Sequence, residues 1–233
     1  MTTLRVIEIF DSLQGEGYWT GVPMTFVRLA GCNAPGLGLG CVRWCDTPDS
    51  WDPTAGEQMD IGEIVRRVRL PRLCLTGGEP LLQVYGTAGL IGEAHRQGIR
   101  VHLETNGTVD PRPILAAPSP EGLAGEPAGA EAGAERGFDW ATVSPKPPDY
   151  LIASGWDGMI DELKLVADER LGAATAERLA ARHPGAIVCI QPEYGGGLDA
   201  GAGREAVDRA IALVMDHSEW RLSLQMHKFL GIR

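Results

Sequence analysis

Three cysteines share one short stretch of this chain. Gly31-Cys-Asn-Ala-Pro-Gly-Leu-Gly-Leu-Gly-Cys-Val-Arg-Trp-Cys-Asp-Thr47 carries Cys32, Cys41 and Cys45, three of only five cysteines in 233 residues. Three thiolates are one short of a closed four-cysteine site, so a tetrahedral zinc or an iron–sulfur centre here needs a fourth ligand from elsewhere. An open coordination position is where a metal does chemistry. The bland alternative is a zinc staple completed by Cys74, a histidine or an aspartate. The gaps of eight and three residues fit that poorly, since structural zinc sites favour paired cysteines two residues apart.

Four further polar clusters stand out: Thr76-Gly-Gly-Glu-Pro80, Glu104-Thr-Asn-Gly-Thr108, Ser144-Pro-Lys146 and Gln191-Pro-Glu-Tyr-Gly-Gly-Gly197. Paired glycines let a main chain approach a ligand closely. Glu79 offers a carboxylate to an ammonium group, and Pro80 suits the first turn of a helix. Taken alone, the same five residues would also make an ordinary tight turn.

Each cluster follows a short β-branched run. Strands are expected over Met24–Leu29, Leu73–Thr76, Val101–Glu104, Ala141–Ser144, Glu162–Val166 (with Lys164 among apolar neighbours) and Ile187–Gln191, with a last one over Arg221–Gln225. Helical spacing marks Asp60–Leu70, Leu81–Gln97, Ala173–His183 and Arg204–His217. The alternation predicts an α/β fold with a largely parallel sheet. About six βα units fit, so a partial, open (βα)6-like barrel with a shortened or loop-replaced helix set is expected. All five clusters then fall at the carboxyl ends of parallel strands, where such folds place their sites. Residues 1–233 read as one domain. Ala116–Gly137, almost wholly Ala, Gly, Pro and Glu, reads as a low-complexity surface insertion. Cys74 and Cys189 fall inside apolar runs and read as small buried core residues.

The net charge of −10 argues against a general affinity for nucleic acid or anionic membranes. Neither a signal region nor an apolar run of membrane-spanning length appears. The reading is a cytoplasmic, reducing setting, where five cysteines favour metal or redox chemistry over disulfides.

The three-cysteine loop after the first predicted strand, the aromatic Trp44 before its last cysteine and Gly-Gly-Glu-Pro after the second resemble the radical S-adenosylmethionine superfamily. A narrower resemblance, to the 7-carboxy-7-deazaguanine synthases, rests on Glu8-Ile-Phe-Asp-Ser-Leu-Gln-Gly-Glu-Gly17, Phe26-Val-Arg-Leu-Ala-Gly-Cys32, Trp44-Cys-Asp-Thr47, Glu104-Thr-Asn-Gly-Thr108, Ser144-Pro-Lys146 and His227-Lys-Phe-Leu-Gly231. These matches span nearly the whole chain outside the low-complexity stretch.

The resemblance implies a 4Fe-4S cluster on Cys32, Cys41 and Cys45, with S-adenosylmethionine on the fourth iron. It implies a ring-contracting carbon–nitrogen lyase that converts 6-carboxy-5,6,7,8-tetrahydropterin to 7-carboxy-7-deazaguanine and ammonia, on the route to queuosine. Leu13, Gln14, Gly15, Glu16, Arg28, Thr76, His227 and the terminal carboxylate of Arg233 would bind the pterin, with Glu16 and His227 as candidate catalytic groups. Trp44, Cys45, Asp46, Gly78, Glu79, Glu104, Ser144, Pro145, Lys146, Gln191, Pro192, Glu193 and Tyr194 would bind S-adenosylmethionine. Thr47 would ligate Mg2+. A homodimer and an electron donor such as flavodoxin or ferredoxin are implied as partners. The family's usual cysteine gaps are three and two, so this loop departs from the pattern. A glycyl-radical activase and a non-catalytic zinc-stapled binding module are the competing readings.

Overall fold

The computed structural model describes residues 2–114, 137–194 and 202–233. The low-complexity stretch, up to residue 136, and the glycines after Tyr194 lie outside the described residues. Among the described residues nine strands form one sheet: β1 Thr3–Leu13, β2 Pro23–Leu29, β3 Glu57–Asp60, β4 Arg72–Gly77, β5 Arg100–Thr105, β6 Trp140–Val143, β7 Glu162–Ala167, β8 Ile187–Pro192 and β9 Arg221–Leu222. Their order is β3-β1-β2-β4-β5-β6-β7-β8-β9. The seven from β2 onward run parallel. β1 runs antiparallel to both of its neighbours. The end strands β3 and β9 do not pair with each other, so the sheet is open, as the sequence suggests.

Side chains alternate across a strand, and here the alternation divides the sheet into two chemically different faces. Val27, Leu29, Leu73, Leu75, Val101, Leu103, Ala141, Val143, Leu163, Leu165, Val188 and Ile190 join one core. Over it lie α2 (Ile61–Arg67), α3 (Val84–Arg96), α4 (Ala173–Arg182) and α5 (Ala202–Asp216), through Ile64, Leu90, Leu179 and Leu213 among others. Asp60 caps α2 by accepting from the Gly62 N–H at 2.9 Å. Between β6 and β7 only a single 3-10 turn, Ser154–Trp156, is helical, so one crossover helix is indeed reduced to a loop.

The opposite face carries Arg28, Thr76, Glu104, Ser144 and Gln191 near the carboxyl ends of their strands, with Lys164 midway along β7. Beneath them sit His102 and Trp140, closed off by Tyr18 and Trp19 from the loop after β1. Tyr18 stacks on Trp140 at 5.2 Å, and Trp19 meets His102 edge-on at 5.0 Å. Burial holds His102 neutral by pushing its pKa down to about 3.

β1 and β3 are not anticipated by the sequence pattern. In β1 the reason is local: the register slips between Val6 and Glu8. Leu4 and Val6 enter the core under the helices, and after the irregularity it is Ile9 that packs on that side. Glu8 and Phe10 are thereby turned to the face of Phe26 and Arg28. Re-aiming a side chain next to a site is what a bulge does, and it also erases the period-two signature. The last strand, expected over Arg221–Gln225, is only two residues long. A short helix, α6 (Met226–Leu230), follows it. The helix expected from Leu81 starts as a 3-10 turn, Pro80–Gln83, before α3 proper.

Candidate active site

A cavity of about 270 Å³ opens at the carboxyl ends of the parallel strands. All three cysteines of the loop line it. That loop is built from α1 (Ala34–Leu37), whose Gly38 closes it in a left-handed conformation, and two 3-10 turns, Gly40–Arg43 and Pro48–Ser50. The long first gap is therefore taken up by a real helical turn. Gly40 ties the excursion down by donating its N–H to the Pro147 carbonyl at 2.7 Å. A Cβ at Gly40 would come within 2.9 Å of the Pro147 ring.

The glycine pair has a use beside the one expected. A Cβ on Gly78 would fall on the Gly31 carbonyl and against Cys32, and one on Gly77 would fall on the backbone of Leu29. The close approach is therefore to the root of the cysteine loop. Gly78 also lines the cavity. Glu79 does not. It is fully buried, and its carboxylate accepts from the Thr105 hydroxyl at 2.8 Å, the Asn106 N–H at 2.8 Å and the Leu81 N–H at 3.1 Å. It clamps the end of β5 to the start of the next helical turn rather than facing an incoming ammonium group.

Burial pushes the Cys32 thiol up to about 11, against an N–H from Ala34, with Glu79 and the other two thiols adding to the rise. Burial also raises Cys41, opposed by Lys146. Trp51 donates its indole N–H to Cys45 at 3.3 Å. Among the described residues no three His, Cys, Asp or Glu side chains gather closely enough to hold a single metal ion. A cluster of four irons takes each thiolate on a different iron, and three thiols lining one cavity suit it. The buried indole N–H of Trp44, with no partner among the described residues, is a further polar group at this wall.

On the far wall, Gln14 donates to Glu104 at 2.9 Å, and the Thr76 hydroxyl donates to its other oxygen at 3.0 Å. Arg28 holds Glu8 through Nε at 2.9 Å, and Arg233 meets the second Glu8 oxygen at 2.8 Å. Arg28 also lines the cavity. Gly15 lacks the Cβ that would collide with the His227 imidazole, so loop and histidine lie against each other. Lys146 donates to the Ser144 hydroxyl at 2.6 Å and sits 5.4 Å over the Trp44 ring. Burial lowers its pKa. Thr47 starts the Pro48–Ser50 turn with its backbone, leaving the hydroxyl uncommitted to capping and 3.7 Å from Cys45 Sγ.

The cavity thus gathers Leu13, Gln14, Gly15, Glu16, Arg28, Cys32, Cys41, Trp44, Cys45, Asp46, Thr47, Thr76, Gly78, Glu104, Ser144, Lys146, Gln191, His227 and Arg233 from the expected residues. Pro145, Pro192, Glu193 and Tyr194 lie outside its lining, as Glu79 does. Lys164 is the residue that the sequence reading noticed but gave no role. It lines the cavity and forms a tight ion pair with Glu16. Its signal was a lone cation in an apolar strand, a placement that requires a buried partner.

An open parallel α/β sheet with three cysteines on the loop after its first parallel strand defines a radical S-adenosylmethionine enzyme. No protein-family model matches the chain. Curated relatives do. The 7-carboxy-7-deazaguanine synthase of Nitratidesulfovibrio vulgaris is 34% identical, covering 99% of this chain and 99% of its own. That of Synechocystis is 33% identical over 98% and 93%, and that of Bradyrhizobium diazoefficiens 34% over 98% and 98%. A crystal structure of QueE from Escherichia coli shares the fold, with a TM-score of 0.66 at 23% identity, covering 97% of this chain and 96% of that one. The chain belongs to the 7-carboxy-7-deazaguanine synthase family.

Proposed function

We propose that this protein converts 6-carboxy-5,6,7,8-tetrahydropterin to 7-carboxy-7-deazaguanine with release of ammonia. One observation carries the reading: the three thiols and a wall of pterin-complementary groups share a single cavity. Cys32, Cys41 and Cys45 would hold the cluster, and Gly78, Ser144, Lys146 and Gln191 would hold S-adenosylmethionine. When bound, that pair supplies the radical that removes a substrate hydrogen. The protein's own groups bind, orient and exclude water.

Glu16 accepts from the amino edge of the pterin ring, and Arg28 takes the substrate carboxylate with its planar fork. Glu8 holds that fork in place from behind. His227 and Arg233 close the wall opposite the sheet, and Thr76 and Glu104 line it from the strand ends. Thr47 is the oxygen ligand for Mg2+ in this scheme, a cation that binds through few protein oxygens and retains others. A homodimer, one domain over residues 1–233, a cytoplasmic setting and a flavodoxin or ferredoxin as electron donor complete the reading.

Anaerobic assay of reduced, cluster-reconstituted protein tests it. With 6-carboxytetrahydropterin and S-adenosylmethionine, the deazaguanine acid should accumulate. Cys32→Ala should lose both the brown chromophore and the product. An unchanged chromophore in that variant, with no product from the unaltered chain, sinks the reading.

A further inference from the structure

Glu16 is held in an unusual way for a group that meets a ligand. Lys164, on β7, ion-pairs with one of its oxygens, and Gln225 donates to the other at 2.6 Å. Gln225 also reaches Asp46 of the cysteine loop at 3.4 Å. The two side chains of the ion pair are only 16% and 10% exposed, and that exposure is into the cavity. A carboxylate offers about four lone-pair sites, so roughly one acceptor site on each oxygen stays open. The other charges around the pair are Glu162 on the same strand, Glu104 on β5, Lys146 and His227. Burial alone would raise the Glu16 pKa, but the Lys164 charge and hydrogen bond hold it down at about 2. A carboxyl with no proton can only accept.

We propose that Lys164 is the specificity-determining positioning residue of this cavity: it keeps Glu16 an acceptor-only group, so that the site takes a 2-amino-4-oxopyrimidine edge and rejects the corresponding 2-oxo edge. This rests on the pterin reading above. The amino edge presents two parallel N–H donors to the two open acceptor sites of Glu16. A 2-oxo edge puts a carbonyl oxygen against one of them, where a buried polar mismatch is expensive. Were Glu16 able to take a proton, its O–H could meet that carbonyl and the rejection would weaken. Lys164 removes that option through its ion pair with Glu16.

The test is equilibrium binding, measured anaerobically on cluster-loaded enzyme with S-adenosylmethionine. The probes are 6-carboxytetrahydropterin and its 2-oxo counterpart, 6-carboxytetrahydrolumazine. The unaltered enzyme should favour the pterin by about 100-fold or more. Lys164→Met should cut that ratio to below about 10-fold, more so at the acid end of the working range, while Lys164→Arg retains it. Gln225→Leu, which removes a bond but no charge, should weaken both probes alike and leave the ratio. If Lys164→Met does not stay folded, Lys164→Gln serves, since it keeps a donor and loses the charge. The inference is overturned if the uncharged variants bind both probes more weakly by one common factor, or if Gln225→Leu changes the ratio as much. Failure of the unaltered enzyme to bind either probe overturns the pterin reading and this inference together. Failure only of the ratio to change overturns this inference alone.

Discussion

Glu162 sits beneath the site with 2% of its surface exposed, and one carboxylate oxygen accepts no hydrogen bond from nitrogen or oxygen among the described residues. The other oxygen accepts from the Tyr18 N–H at 2.9 Å. Burial pushes its pKa up to about 7, only partly countered by Lys164. A carboxyl whose pKa is higher folded than unfolded keeps its proton in the native state while the unfolded chain loses it. Its contribution to stability is therefore present below about pH 4.5 and is lost as pH rises towards 7. Glu162→Gln mimics the protonated form. It should raise the unfolding free energy by about 2 kcal/mol at pH 8 and by little near pH 5. Denaturant titrations at the two pH values check this, and a variant that is no more stable than the parent at pH 8 contradicts it. Glu162 stands two strand positions from Lys164, yet Glu16, in the loop after β1, is the carboxyl that holds the lysine and has the opposite polarity. Two carboxyls in one interior are thus set apart by which of them owns the lysine.

Among the elements, the β4 end and the cysteine loop are joined by two backbone hydrogen bonds. Gly78 donates its N–H to the Leu29 carbonyl at 3.1 Å, and Glu79 donates its own to the Gly31 carbonyl at 2.8 Å. Both bonds join the turn to the residues that launch Cys32. Gly78→Ala would force the new methyl onto the Gly31 carbonyl, and backbone cannot swing away as a side chain can. The expected result is a folded protein that loses at least half of its bound iron and sulfide on anaerobic gel filtration. Full retention of iron would show that the loop does not need this contact. The β1 irregularity works on the same scale. It delivers Glu8 and Phe10 to the site and leaves Leu4, Val6 and Ile9 in the core, so one strand serves two faces. That is also why this element was illegible in the sequence, where neither strict alternation nor helical spacing survives the slip.

For the molecule as a whole, the parallel strands and most crossover helices could be read from the sequence, because buried parallel strands announce themselves as β-branched runs. The clusters at the strand ends could be read for the same reason, once the strands were placed. Lys164 and Glu79 show where that reading stops. Their types and positions were visible, but whether a carboxylate faces a cavity or is consumed by Thr105 and Asn106 depends on contacts between distant segments. The C-terminal segment is a second case. Met226 donates its N–H to the Gly15 carbonyl at 2.8 Å, and Lys228 pairs with Asp46 at 3.2 Å, so the last residues bind together the loop after β1 and the cysteine loop.

The chain's tryptophans give this arrangement an optical consequence. Trp51 touches Cys45 and Trp44 lines the cysteine wall, whereas Trp19 and Trp140 pack together beneath the site at 5.3 Å. A dark iron–sulfur chromophore quenches indole emission steeply with proximity. Loading the cluster should therefore extinguish the emission of Trp44 and Trp51 first, and Trp44→Phe with Trp51→Phe should remove most of the quenchable signal. Assembly of the centre can then be followed by light alone, in a protein that has not yet turned over a single substrate.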